Sequence, residues 1–380
     1  MAEQNIIIIG SGMAGYTLLR EIRKLDTRTK ITLICADNGD FYSKPMLSNA
    51  LDKQKTADAL VMQNAEKMQQ TQNFELFKRC KVTAIDVKNQ QVSSRSQLWQ
   101  YSQLILATGA RPFVLPIKGN AAQDILSINH LDDYRVFRQK LEQAQHVAII
   151  GPGLIGCEFA NDLLSASRKV SVIGPDQWPI SNLLPQKTGQ FLQQKLQQQG
   201  VEFYLNNSVQ SVDRDDNGYR LTLQDSSTLQ ADLVLSAVGL RANLDLAASS
   251  GIRTARGYVT DRYLQTSIPN IYALGDCAEV AGLHLPFILP IMQGARALAK
   301  TLTGDKTAVS YPPMPVAIKT PACPIVVSPP SDKQSVCQYT ETEDGIKALY
   351  YQQDQLTGFA LAGDAVIEKQ ALTPLLPAVL

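Results

Sequence analysis

The residues best placed to do chemistry are two sets of glycines. Gly10, Gly12 and Gly15 lie in Gly10-Ser11-Gly12-Met13-Ala14-Gly15, directly after Ile6-Ile7-Ile8-Ile9. Gly151, Gly153 and Gly156 repeat that spacing 141 positions later, after Val147-Ala148-Ile149-Ile150. Helically spaced apolar residues follow the first set at Leu18, Leu19, Ile22 and Leu25. A strand that stops in G-x-G-x-x-G and resumes as a helix gathers unpaired backbone N–H groups and the positive helix end at one point, which suits a pyrophosphate. The first glycine permits the tight turn, the second lets the backbone approach the phosphates, and the third lets helix and strand pack closely. Residues 10–15 are therefore candidate binding residues, as are Gly151, Gly153 and Gly156. Two copies in one chain call for two dinucleotides.

Carboxylates come next. The ribose of a dinucleotide is held by an acid about 20 residues past the glycines. After the strand Ile31-Thr32-Leu33-Ile34, that place falls to Cys35, with Asp37 two residues on. Asp37 is the candidate, with Cys35 and Ala36 giving backbone contacts. The competing reading makes Asp37 a turn residue before Asn38-Gly39. In the second copy the strand Val170-Ser171-Val172-Ile173 ends at Gly174, Pro175 and Asp176, and Arg168 and Lys169 precede the strand instead of following it. Without a basic cluster for a 2′-phosphate, Asp176 tilts the choice to NADH over NADPH.

The elements that must position these residues read as parallel α/β structure. Leu104-Ile105-Leu106-Ala107-Thr108-Gly109 is a buried strand ending in a small-residue turn, echoed by Leu233 to Gly239. A further apolar run, Ile271-Tyr272-Ala273-Leu274, ends in Gly275-Asp276, with a helix expected from Met292 to Leu302. The proline-rich stretch 312–330 holds Val316-Ala317-Ile318 and Ile325-Val326-Val327, which read as edge strands. The fold class expected is α/β, with two Rossmann-like dinucleotide-binding domains and a small C-terminal α+β domain. At 380 residues the chain exceeds the roughly 250–300 at which one core stops growing. The boundaries fall at 1–117 with 244–318, at 118–243, and at 319–380.

Composition excludes other classes. Hydrophobic residues make up 44% and charged residues 19%, which rules out intrinsic disorder. A net charge of +1 provides no field to attract nucleic acid or an anionic membrane. Residues 1–5 carry no basic region, and no apolar stretch reaches the ~20 residues of a membrane helix, so a cytoplasmic protein is expected. The cysteines, at 35, 80, 157, 277, 323 and 337, show neither CxxC nor CxxxxC spacing. That argues against a zinc ribbon, an iron–sulfur site and a sequence-local redox disulfide; no metal site is expected. Cys157 and Cys277 follow glycine motifs at helix starts, where a thiol pKa can fall, yet read as packing residues.

The paired fingerprints, the Thr108-Gly109 turn and the Gly275-Asp276 motif resemble the two-dinucleotide flavoprotein reductases of the glutathione-reductase-like fold. The resemblance implies FAD on the first fingerprint and NADH on the second, with Thr108, Gly109 and Asp276 against the flavin nucleotide. The run Tyr42-Ser43-Lys44-Pro45-Met46-Leu47-Ser48 has lysine where related disulfide reductases carry a redox cysteine. Together with Gly156 to Leu163 and Lys319 to Pro330, it is similar to the branch that reduces rubredoxin. That branch takes hydride from NADH and passes single electrons to rubredoxin, usually to feed alkane hydroxylation.

The resemblance also implies site roles. Lys44 and Lys319 place positive charge by the flavin ring, and Glu158 pairs with Lys44 and borders the nicotinamide; the plainer readings are surface lysines and a helix-dipole glutamate. Val82 lies on a strand along the adenine and Ile288 touches the ring end, unless both are core. No acid, base or nucleophile from the protein is needed, so no catalytic residue is assigned. Alternatives are a ferredoxin or flavorubredoxin reductase, or a flavin-bound redox sensor like apoptosis-inducing factor. Rubredoxins are acidic, so docking should use a basic patch. The 62-residue C-terminal part is short for the dimer domain of disulfide reductases, which favours a monomer.

Overall fold

The computed structural model describes residues 5–332 and 334–380. Residues 1–4, part of the stretch without a basic region on which the cytoplasmic expectation drew, lie outside the described residues. The isoleucine run forms the strand Asn5–Ile9, and Ile6, Ile7 and Ile8 are fully buried. Each such side chain contributes about 1.5–3 kcal/mol over an exposed one. Branched residues on both faces suit the middle of a parallel sheet covered on both sides. The strand pairs in parallel with Lys30–Ile34 on one side and Gln103–Leu106 on the other, and Glu75–Phe77 and Ile271–Ala273 complete five strands. Parallel neighbours need a crossover. Helix α1 (Met13–Leu25) makes the first, burying Leu18, Leu19 and Ile22.

The second sheet repeats the plan. Its order is Val201–Tyr204, Lys169–Ile173, His146–Ile150 and Leu233–Ser236, all parallel, with α2 (Leu154–Ser165) following the His146–Ile150 strand. In each sheet the strand before the glycine turn lies between the strand after its helix and the strand ending in a small-residue turn. The two crossings between the units are tied together. Ala110–Pro112 pairs antiparallel with Leu240–Ala242. Beside them the Thr108 hydroxyl donates to the Asn243 carbonyl at 2.9 Å, and the Asn243 N–H donates to the Gly109 carbonyl at 2.9 Å.

The chain returns to the first sheet and closes it with α3 (Ile288–Leu302), which packs beside α1. The helix starts at Ile288, earlier than the expected Met292. Pro290 does not break it, because a first-turn residue has no intrahelical N–H bond to lose. The C-terminal sheet is antiparallel, in the order Val316–Ile318, Ile325–Ser328, Gln355–Gly363, Gly345–Gln352 and Val336–Glu341. Only the first of the two expected edge strands lies at an edge. Ile325–Ser328 is interior, since the prolines stand outside it and leave its N–H groups free for the ladder. Ile318, Ile325, Val327 and Ile346 share one core with the second sheet and with Leu47, Leu51 and Leu60 of the first unit. None of the described helices is long and apolar enough to cross a membrane.

Candidate functional site

Both glycine turns have the geometry the spacing demands. Gly10 has φ +118° and Gly151 φ +110°, and a Cβ on either would meet a backbone carbonyl, Ala107 O at 2.2 Å or Ala237 O at 2.7 Å. A Cβ on Gly15 or Gly156 would lie 2.0 Å or 1.9 Å from the carbonyl oxygen of Gly10 or Gly151. The middle glycines differ. A Cβ on Gly12 or Gly153 would meet nothing within 4 Å. Their bareness serves no packing inside the protein; it leaves room for another molecule to approach the backbone.

That room is a single cavity of about 1810 Å³ bordered by both turns. A pocket for one drug-sized ligand holds roughly 300–1,000 Å³, so this one has space for two nucleotides end to end. The bare middle glycines, the two helix N-termini and the volume fit FAD on the first turn and NADH on the second. Every residue assigned from the sequence borders this cavity except Gly15 and Gly156, which lie behind the turns.

At the first turn the Ser11 hydroxyl donates to Asp37 Oδ1 at 2.7 Å, and the Gly39 N–H donates to the same oxygen at 2.9 Å. Asp37 thus closes its turn and also stands on the cavity wall; the two readings are compatible. Cys35 and Cys80 are the cysteines on this wall, both at the Asp37 end, and burial pushes the Cys35 thiol far up. Val82 is buried on the wall but in a loop, not on a strand. The Asp276 carbonyl lies 3.0 Å from His284 Nε2. Ile288 is 40% exposed at the start of α3.

Charge gathers where the units meet. Lys44 opens a short 3₁₀ turn, Lys44–Asn49. Burial lowers its pKa below the ordinary lysine value, while Asp276 and Asp133 oppose the shift. Glu158 does not pair with Lys44. It is 1% exposed and forms its ion pair with Lys319, whose backbone N–H also donates to Glu158 Oε1 at 2.9 Å. The Ser48 hydroxyl donates to Glu158 Oε2 at 2.5 Å and accepts from Lys319 Nζ at 3.2 Å. The physical reason is the loop after Val316–Ile318, which brings the Lys319 and Ala322 N–H groups onto the Glu158 and Asn161 side chains of α2.

Three polar residues of α2 do related work, and two of them were missed. Glu158, Asn161 and Asp162 lie at i, i+3 and i+4 on a helix whose other faces are apolar. Asn161 Oδ1 accepts from Ala322 N–H at 3.0 Å, and Asp162 accepts from Leu51 N–H at 3.0 Å and Asp52 N–H at 2.9 Å. Burial raises the pKa of Asp162. Three buried polar groups at helical spacing were the available signal. They fasten α2 to the segment carrying Lys44 and to the loop after Val316–Ile318 that carries Lys319.

Residues 4–301 match the family described as pyridine nucleotide-disulphide oxidoreductase, and residues 308–376 match the rubredoxin binding C-terminal domain. A rubredoxin-NAD(+) reductase of Alcanivorax borkumensis is 45% identical, the match covering 99% of each chain. One of the same name from Acinetobacter baylyi is also 45% identical, over 97% of this chain and 96% of its own. The structure of a ferredoxin reductase from Rhodopseudomonas palustris superposes with a TM-score of 0.87 at 26% identity, covering 96% of this chain and 93% of that one.

Proposed function

The chain belongs to the pyridine nucleotide-disulphide oxidoreductase family, and from that premise we infer that it is an FAD-dependent reductase that takes hydride from NADH and passes single electrons to rubredoxin. The observation that carries this reading is one cavity bordered by both glycine turns, with a lysine-rich junction and no cysteine between them. FAD, when bound, supplies the conversion of hydride into single electrons. The chain's own residues bind and orient. The Gly10 and Gly151 turns would present N–H groups to the two pyrophosphates, and Asp37 would accept from the ribose. Asp176, held by the Ser181 hydroxyl, stands on the cavity wall as the carboxylate that favours NADH. Lys44 and Lys319 bring positive charge to the junction, where it favours the anionic reduced cofactor. Glu158 sets the position of Lys319.

Sheet membership supports a flavin unit of 1–117 with 244–315 and an NADH unit of 118–243, since Ile271–Ala273 rejoins the first sheet; Val316–Ile318 pairs with Ile325–Ser328, so the C-terminal domain is read from 316 and not from the expected 319. Six free cysteines fit a reducing, cytoplasmic setting. We read the chain as a monomer, to be checked by sedimentation, and as a donor to alkane hydroxylation, to be checked by reconstitution with rubredoxin and a hydroxylase. The primary test is anaerobic titration with NADH followed by mixing with oxidised carriers. One NADH should bleach one flavin, and the reduced protein should then reduce two rubredoxins, faster than it reduces a ferredoxin or flavorubredoxin. Failure to reduce rubredoxin would reject the reading.

A further inference from the structure

We propose that Ser181 is a positioning residue for cofactor choice: its hydroxyl locks the Asp176 carboxylate on the wall of the second nucleotide site, where that carboxylate would accept from a ribose 2′-hydroxyl and repel a 2′-phosphate. The inference rests on the reading that NADH occupies the second glycine turn, and deepens it. The need for a lock follows from what surrounds Asp176. The stretch from Gly174 to Gln186 contains no lysine or arginine. Lys169, ahead of the loop, pairs with Glu202 at 3.0 Å, and Lys187, just beyond it, pairs with Glu341 at 2.7 Å. Discrimination then falls to one carboxylate, and a carboxylate free to swing aside would let a phosphate pass.

The backbone around Asp176 is already fixed. Its carbonyl accepts from Asn206 N–H at 3.0 Å, and the Gly174 carbonyl accepts from Asn207 N–H at 3.1 Å. A Cβ on Gly174 would lie 2.1 Å from Pro152 Cδ, so the end of the strand sits directly on the glycine turn. The side chain is what remains to be fixed, and Ser181 holds it by donating to Asp176 Oδ1. Ser181 is delivered by an unusual neighbour. Ile180 has φ +57°, a left-handed conformation that is a steric outlier for a β-branched residue. Such strain persists only where the surroundings enforce it, and it gathers at ligand sites. Ile180 is 1% exposed, and its N–H donates to the Pro152 carbonyl at 2.8 Å, inside Gly151-Pro152-Gly153. The loop is thus anchored on the turn that would hold the pyrophosphate. Ser181 takes one oxygen of Asp176, which borders the large cavity, and Oδ2 is the oxygen that would meet the nucleotide.

The test measures equilibrium binding of NAD⁺ and of NADP⁺ to the oxidised holoenzyme, read from the flavin difference spectrum. It is paired with kcat/KM for NADH and NADPH, with ferricyanide as acceptor. Ser181 is half-buried in a turn, so Ser181→Ala should fold and keep its flavin. It should lower the ratio of the NADP⁺ to the NAD⁺ dissociation constant about tenfold. Ser181→Thr, which keeps the hydroxyl, should restore the ratio. In an Asp176→Asn chain, adding Ser181→Ala should leave the ratio where it is, because the serine acts through the carboxylate. A loop that had merely lost packing would weaken both nucleotides alike. An unmoved ratio in Ser181→Ala, or an equal fall in the Asp176→Asn background, overturns the proposal while leaving the NADH reading intact. A parent chain that binds NADP⁺ more tightly than NAD⁺ overturns that reading and the proposal with it.

Discussion

Glu158 and Lys319, 161 positions apart, form a two-point contact in which one carboxylate binds both the ammonium and the backbone N–H of the same lysine. The carboxylate is 1% exposed and the lysine side chain 28%. The pair therefore joins the NADH unit to the C-terminal sheet and sets charge at the cavity junction in one stroke. Lys319→Met leaves a buried negative charge and Glu158→Gln an unpaired positive one. The flavin midpoint potential should fall in the first and rise in the second, each by about 30 mV, the equivalent of ~1.4 kcal/mol for a two-electron couple. Spectroelectrochemical titration of both variants gives the answer. Shifts of the same sign would mean that the pair acts through packing and not through charge.

The glycine turns offer a test of which cofactor each one holds. Gly12→Ala should fold normally, because its Cβ meets no protein atom within 4 Å, yet purify with little flavin. Gly153→Ala should keep its flavin and raise the KM for NADH about tenfold, the cost of roughly 1.4 kcal/mol. Gly10→Ala should fail differently, with its Cβ 2.2 Å from Ala107 O at φ +118°, and lose stability with or without cofactor. Flavin content, KM and urea midpoints distinguish these results. A Gly12→Ala protein that retained full flavin would remove the first turn as the FAD site.

What was legible in the chain was local. Each fingerprint needs only a strand, a turn and a helix in succession, so Gly10, Gly12, Gly151 and Gly153 could be placed by spacing. Asp37 followed from the length of one βα unit. The pairing of Glu158 was not legible, because it depends on where a loop more than 150 residues away meets α2. From one-dimensional order Lys44 was the better guess. Ser48 was hidden for the same reason: a serine in a turn gains meaning only once two charged partners arrive from other units. The early start of α3 and the interior place of Ile325–Ser328 were obscured by prolines. Their effect depends on whether the missing N–H would have faced a partner.

Lys44 provides a pH prediction. Its folded-state pKa is lowered by burial, so the unfolded chain binds more protons between that value and the ordinary 10.5. Stability then rises with pH across this window: the cost of the buried ammonium is present at neutral pH and is relieved as pH climbs toward 10.5. Lys44→Met should be the more stable form at neutral pH in the flavin-free state. The difference should shrink as alkali discharges the lysine. Urea unfolding of both chains at several pH values measures it, and a difference that grew with pH would show that Lys44 is stabilised as a cation.

The cysteines decide whether electrons pass through sulfur. Cys157 lies in the first turn of α2, where the dipole can lower a thiol pKa, whereas Cys277, expected at a helix start, lies in a turn before the strand Ala278–Val280. Both are fully buried, and burial raises their pKa instead. The Cys157 thiol donates to the Pro152 carbonyl at 3.4 Å, and the Cys277 thiol to the Leu106 carbonyl at 3.2 Å, so both remain protonated packing groups. Cys157→Ala and Cys277→Ala should each retain electron transfer to rubredoxin within about twofold. They should lose roughly 1–2 kcal/mol of stability, mainly from the small void left. Iodoacetamide applied to the NADH-reduced protein should leave both thiols unlabelled. Loss of turnover on alkylation of either one, with the fold intact, would put a sulfur relay back into the reaction.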